Sequence, residues 1–224
     1  FAAQVQHSLA VLLFDPATAL RLGHRRKAIT ATRGAMTHNE EKAKNTGDNV
    51  IDDLQRLRAL YPAPGERALR KQMTVLDPHA LRFIALSPFV VLSTADAQGR
   101  QDASPRGGSP GFVHAVGAQQ LWIPDAPGNH RLDSLSNIVV TGRIGLLFLI
   151  PGVDETLRVN GRAQLCDEAD RLAPFAADKR VRLVIEVTVE EAYLHCAKAL
   201  MRSKLWSDAA RIERSSLPTI GQMI

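Results

Sequence analysis

Asn129, Arg131 and Ser134 stand together in the stretch Leu121–Ile138, LWIPDAPGNHRLDSLSNI. The apolar run Leu121–Ile123 stops at Pro124, and Asp125-Ala126-Pro127-Gly128-Asn129 has the composition of a turn. Arg131, Asp133 and Ser134 then open a segment with Leu132, Leu135 and Ile138 at helical spacing. The pattern predicts a strand, a tight loop and a helix N-terminus. Such a terminus leaves backbone N–H groups free, and the helix dipole favours negative charge there. Arg131 adds a positive charge whose fork of donors suits phosphate. The chemistry expected is a phosphate pocket. The plainer reading is an ordinary strand-to-helix turn with Asn129 as N-cap, and this stretch alone favours it.

A second group of chemical residues lies in the tail. Lys198 and Arg202 are spaced i, i+4, with His195 one turn earlier, so one helix face presents three groups suited to an anion. A solvated basic face is the plainer reading. His195-Cys196 has no further His or Cys at ligand spacing, so no metal site is expected. Cys196 is expected as a small buried apolar residue, and His114, inside a strand, as a structural histidine. No nucleophile elbow, GxGxxG or P-loop occurs, and no catalytic acid or base is singled out.

The elements that must position these groups follow from punctuation and periodicity. Ile51, Leu54, Leu57 and Tyr61 predict an amphipathic helix over 49–61, capped by Asp48 and stopped by Pro62. A short helix is expected over Glu66–Met73. Asp77-Pro78 opens another that runs to Leu86, with Leu81, Ile84 and Ala85 on one face. Strands are then expected at 89–94, 100–106, 112–116, 120–124, 143–150, 155–165 and 182–189. The Asp96–Gly99 turn makes the first two a hairpin. A short helix sits near 168–176, and the second half of 193–206 is helical. Short strands with helices at the margins predict a mainly β fold with peripheral helices, a six-stranded antiparallel split β-barrel built from about six of these segments.

The expected divisions are an extension at 1–47, a helical region at 48–87, a barrel at 88–206 and a tail at 207–224. The chain of 224 residues carries a net charge of +5, but residues 1–35 hold five basic residues against Asp15, so only +1 remains elsewhere. Met36 is the expected start, with everything before it an extension. A near-neutral barrel with isolated Trp122 and Phe112 argues against a nucleic-acid surface. Cys166 and Cys196 form no CxxC pair, so reduced thiols and a cytoplasmic setting are expected.

Read in order, Asp96-Ala-Gln-Gly99, Ser104-Pro105, Leu121-Trp-Ile123, Gly128-Asn-His-Arg131, Leu135 and Arg143-Ile-Gly-Leu146 resemble the pyridoxamine 5'-phosphate oxidase-like split-barrel flavoproteins. The resemblance covers Val90 to Leu149. The DASPRGG and PGNHRLDSLSNI segments look like a bacterial FMN-dependent subgroup of that family. The resemblance implies an FMN-binding homodimer with flavin at the subunit interface and a small-molecule substrate. Arg131 stands where the family has a phosphate-binding Lys, and Asn129 where it has a Ser. Asp125 stands near a flavin-contacting position, and Ser104 and Arg106 lie on the strand that lines the ring. Ile123 and Ser134 join this cofactor-binding set, and Lys198 and Arg202 are expected over the flavin. The Trp and Arg-x-His-x-Arg signature of the vitamin B6 enzymes is absent from the tail, which speaks against that substrate. An FMN-dependent oxidoreductase is expected; the alternative is a non-catalytic flavin- or haem-binding module. FMN and a deazaflavin both remain open.

Overall fold

The computed structural model of the chain describes residues 50–126 and 128–224. The expected extension over 1–47, the start at Met36 and the Asp48 cap lie outside the described residues. The described residues fall into two units, 50–61 and 62–224. In the first, helix α1 spans Leu54–Ala59, shorter than the helix expected over 49–61. The cap is Asp53, whose carboxylate accepts the amides of Gln55 and Arg56 at 3.1 and 2.9 Å. Those bonds hold the Asp53 carboxyl below its usual range.

In the second unit, α2 spans Glu66–Arg70 and gives way to β1, Gln72–Met73. The helix expected to reach Met73 stops early because Gln72 and Met73 pair with Tyr193 and Ala192. Helix α3, Pro78–Leu86, begins as the sequence predicts. Pro78 occupies its first turn and the Asp77 carboxylate accepts the Ala80 amide at 2.7 Å. Its buried residues are Ala80 and Ile84; Ala85, expected on the apolar face, is exposed.

The rest is organised by one antiparallel sheet. Its longer strands are β2 Phe89–Ala95, β3 Gln101–Gly107, β5 Gln120–Pro124, β6 Arg143–Leu149, β7 Thr156–Cys166 and β8 Val184–His195. With β1 and the two-residue β4, His114–Ala115, the count is eight rather than six. The order is β3-β2-β6-β7-β8-β5-β4, with β1 on β8, and the sheet is not closed. The mainly antiparallel architecture with helices at the margins is consistent with the split-barrel fold. The alternation of each strand sends Val90, Leu121, Ile123, Phe148, Val159 and Ile185 into a common core. Among the described residues no helix is long and apolar enough to cross a membrane.

Strand β8 runs past Val189, where the alternating pattern suggested its end, to His195. The reason is a bulge against β7. Asn160 pairs with Glu191 while the next residue, Gly161, pairs with Val189. The extra residue shifts the register and lets the pairing continue to Thr156 and His195. His195 therefore ends a strand and is not part of the helix that carries Lys198 and Arg202, which is α6, Lys198–Ser203.

Candidate functional site

Strands β3 and β5 run side by side in function though not in pairing, because each delivers a loop to the same place. After β5 the chain turns through Asp125, whose amide donates to the Leu183 carbonyl at 3.0 Å. The loop then enters helix α4, Asp133–Thr141. Asn129 is not its N-cap: its Oδ1 accepts the Arg131 amide at 3.1 Å, inside the loop. The cap is Leu132, at φ 60°, and no side chain bonds the first turn. His130 also has φ 60°. Two non-glycine residues in the left-handed region cost roughly 1–2 kcal/mol each. Such alternation turns successive amides into a concave nest for an anion. The uncapped first turn of α4 adds its own free amides.

This loop forms one side of a cleft of about 850 Å³. Ser104 and Arg106 of β3 form another side, with Arg106 donating to the Ser104 hydroxyl and to the Pro105 carbonyl. Phe112, His114 and Phe175 supply an aromatic wall, the last two with ring centroids 4.6 Å apart. Gly108 explains the position of Phe112: a Cβ there would sit 2.7 Å from the Phe112 Cβ. Gly108 thus serves ring packing.

Charges in the cleft are mostly committed. The Arg131 Nε donates to the Asp133 carboxylate at 2.7 Å, which holds Arg131 more firmly protonated. The Ser134 hydroxyl donates to Asp102 Oδ2 at 2.5 Å, and Asn137 donates to Thr94 Oγ1 at 3.0 Å. These bonds tether the start of α4 to β2 and β3. Asp178 is held down at about 2 by the Arg180 guanidinium beside it. Asp125 is the exception: burial pushes its carboxyl up, and the positive charge of Arg106 only partly opposes this. A carboxyl raised in the folded state lowers stability as pH rises out of the ordinary carboxylate range and through its folded value. Over that window the stability of the protein relative to Asp125→Asn should therefore fall as pH rises, which the difference between their urea midpoints measures.

The structure brings Ser104, Arg106, Asp125, Asn129, Arg131 and Ser134 to this one cleft. Ile123 is a correction: it is fully buried, and its side chain belongs to the core face it shares with Leu121. Ser134 offers the cleft its amide, since its hydroxyl serves Asp102. Lys198 and Arg202 are exposed on α6 and do not line the cleft of their own chain. Cys196, expected to be buried, is exposed. His114 lines the cleft as well as belonging to a strand.

Sequence reasoning missed the wall formed by Pro174, Phe175 and Val181. This segment includes α5, Ala169–Leu172, and the short turn Ala173–Phe175. Arg171 anchors it, lying 4.9 Å over the Trp122 ring and 3.4 Å from the buried Glu186. Glu186 also accepts from Gln120 and, at 2.7 Å, from Gln164.

A family model described as Pyridoxamine 5'-phosphate oxidase matches residues 76–196, which takes in the whole cleft. The chain belongs to the pyridoxamine 5'-phosphate oxidase family. No curated protein is similar enough in sequence to match. Among solved structures, HupZ of Group A Streptococcus is similar at 17% identity, with 53% of this chain and 93% of that one covered and a TM-score of 0.44. HutZ of Vibrio cholerae, described as a heme storage protein, is similar at 12% identity, over 54% of this chain and 94% of that one, with a TM-score of 0.41. General Stress Protein 26 of Bacillus anthracis is similar at 14% identity, over 52% and 94%, with a TM-score of 0.39. At these identities the likenesses bear on no chemistry of this family member.

Proposed function

We propose that the cleft binds FMN between two copies of the chain and that the protein is an FMN-dependent oxidoreductase. The observation that carries the reading is the left-handed loop His130–Leu132 running into an uncapped helix beside Arg131. In this reading the amides at the start of α4 and the Arg131 guanidinium hold the phosphate, with Asn129 beside them. Ser104, Arg106 and Asp125 border the ring system, and Phe112 covers it. Bound flavin supplies the redox chemistry; the protein supplies binding, orientation and electrostatics. Lys198 and Arg202, away from their own cleft, serve the cleft of the second copy. The free thiols Cys166 and Cys196 fit a reducing, cytoplasmic setting.

The test is the visible spectrum of the purified protein, with chromatography of any chromophore released by heat. A yellow protein that releases FMN is the expected result. A colourless protein that also fails to take up added FMN overturns the reading. One observation favours a second reading: His114 and His130 both line the cleft, and imidazole is an axial ligand of haem. A Soret band in place of flavin bands is the outcome that would select it.

A further inference from the structure

Among the described residues four carboxylates line the cleft, and three of them answer to an arginine. Asp133 and Asp178 each hold a guanidinium, and Asp125 feels the charge of Arg106. Asp102 differs. Among the described residues its side chain bonds hydroxyls and joins no ion pair. The Ser134 hydroxyl donates to Asp102 Oδ2 at 2.5 Å, and the Thr94 hydroxyl lies 3.5 Å from the same oxygen. Thr94 Oγ1 in turn accepts the Asn137 side-chain amide at 3.0 Å. Ser134 and Thr94 are both buried, so these bonds are made out of water.

The arrangement grips α4 at two points. Asp102, Ser104 and Arg106 alternate onto one face of β3, and Asp102 lies opposite Thr94 across the hairpin. Ser134 and Asn137 stand three residues apart on α4 and are therefore neighbours on one helix face. Two attachments so spaced fix the rotation of the helix as well as the place where it starts. Asp102 reaches the helix through a hydroxyl, and no side chain bonds the amides of the first turn. Those amides remain free for a ligand.

Stability does not call for this network. Leu135 and Ile138 already pack α4 into the core. A carboxylate drawn out of water without a cation is costly, and an apolar contact would hold the helix at lower cost. The charge of Asp102 also reaches Arg131, where it opposes an incoming anion. What the network supplies is position.

We propose that Asp102 is a positioning residue for the phosphate of the cleft's ligand. Through the Ser134 hydroxyl it sets the first turn of α4 so that the free amides there converge with Arg131 on one point. This inference rests on the flavin reading above and adds to it the residue that holds the phosphate cradle in register.

The experiment titrates the full chain, freed of any bound flavin, with FMN and with riboflavin, which carries the same ring and no phosphate. Quenching of flavin fluorescence gives both affinities. Asp102→Ala should weaken FMN by about tenfold, the loss of one charge-assisted amide contact to phosphate, and leave riboflavin unchanged. Ser134→Ala should do the same, and combining the two should add nothing further. Asp102→Asn keeps an acceptor oxygen for Ser134 and removes the charge, so its preference for FMN should equal or exceed that of the unaltered protein. Should Asp102→Ala fail to fold, Ser134→Ala carries the same comparison. A variant that weakens FMN and riboflavin alike overturns the proposal, because a purely structural role acts on the whole cleft. An unchanged FMN preference in both alanine variants overturns it too, as does an Asp102→Asn protein as weak as Asp102→Ala. In each of these cases the unaltered protein still prefers FMN and the flavin reading stands. An unaltered protein that takes up neither flavin rejects that reading, and this proposal with it.

Discussion

Replacing Gly161 by alanine should destabilise the protein by on the order of 3 kcal/mol, the upper part of the range for overpacking a well-packed interior. A Cβ on Gly161 would lie 2.0 Å from the Thr188 carbonyl oxygen, 3.0 Å from its carbon and 3.4 Å from the Glu190 nitrogen. All three atoms are backbone, so no side chain can rotate away. The strands concerned, β7 and β8, are neighbours inside the sheet order, and the bulge between them sets the register of everything beyond. The sheet must therefore either part at this point or lose the bulge. Gly145 is the internal control. There a Cβ would meet the Asn160 Oδ1 at 3.3 Å and the Ser93 Cβ at 3.6 Å, both side-chain atoms. Gly145→Ala should cost about 1 kcal/mol, in line with a typical point substitution. Urea unfolding of both variants measures the difference. A Gly161→Ala protein no less stable than Gly145→Ala would contradict the bulge geometry.

The parts of this fold that local chemistry dictates were legible before any coordinates. Asp77-Pro78 opens α3 because a carboxylate and a pre-set φ act within one turn. Asp96 closes its hairpin through bonds to the amides of Gln98 and Arg100, both at 2.9 Å. Leu157, Val159, Gly161 and Ala163 alternate and share the inner face of β7. What escaped the sequence depends on distant partners. Met73 is a strand residue only because Ala192 lies opposite it, and His195 extends β8 only because Thr156 does. Phe175 faces the cleft because Arg171 stacks on Trp122, a contact between segments far apart in the chain. In the candidate site the types of residue were readable and their uses were not. Asn129 has the chemistry of a cap, yet the helix starts later, at a leucine that ordinary preference would not choose. Ile123 is legible as a core residue. Period-two alternation puts it on the same face as Leu121, with Trp122 on the other, so its burial was implicit in the strand itself.

Removing the Arg131 side chain should weaken FMN binding by roughly 10- to 100-fold, the scale of one charge-assisted, two-donor contact to phosphate. In the structure Arg131 is paired with Asp133, and side-chain exposures of 73% and 48% place that pair in water. Exposed pairs contribute little to stability, so breaking this one to engage a phosphate costs little. The apo protein should accordingly unfold at nearly the same urea concentration with or without Arg131. Asp133 acts in the opposite sense. It competes for the guanidinium, and on the flavin reading it would set a negative charge beside the phosphate at the helix start. Asp133→Asn should leave FMN affinity unchanged or raise it, while Arg131→Ala lowers it, and Arg131→Lys should recover part of the loss because charge returns without the fork. Fluorescence titration of apo protein with FMN measures all three. If Arg131 served only as the partner of Asp133, the two single variants would behave alike: each would shift stability slightly and neither would change FMN affinity. Opposite signs for the two separate a phosphate ligand from a surface ion pair.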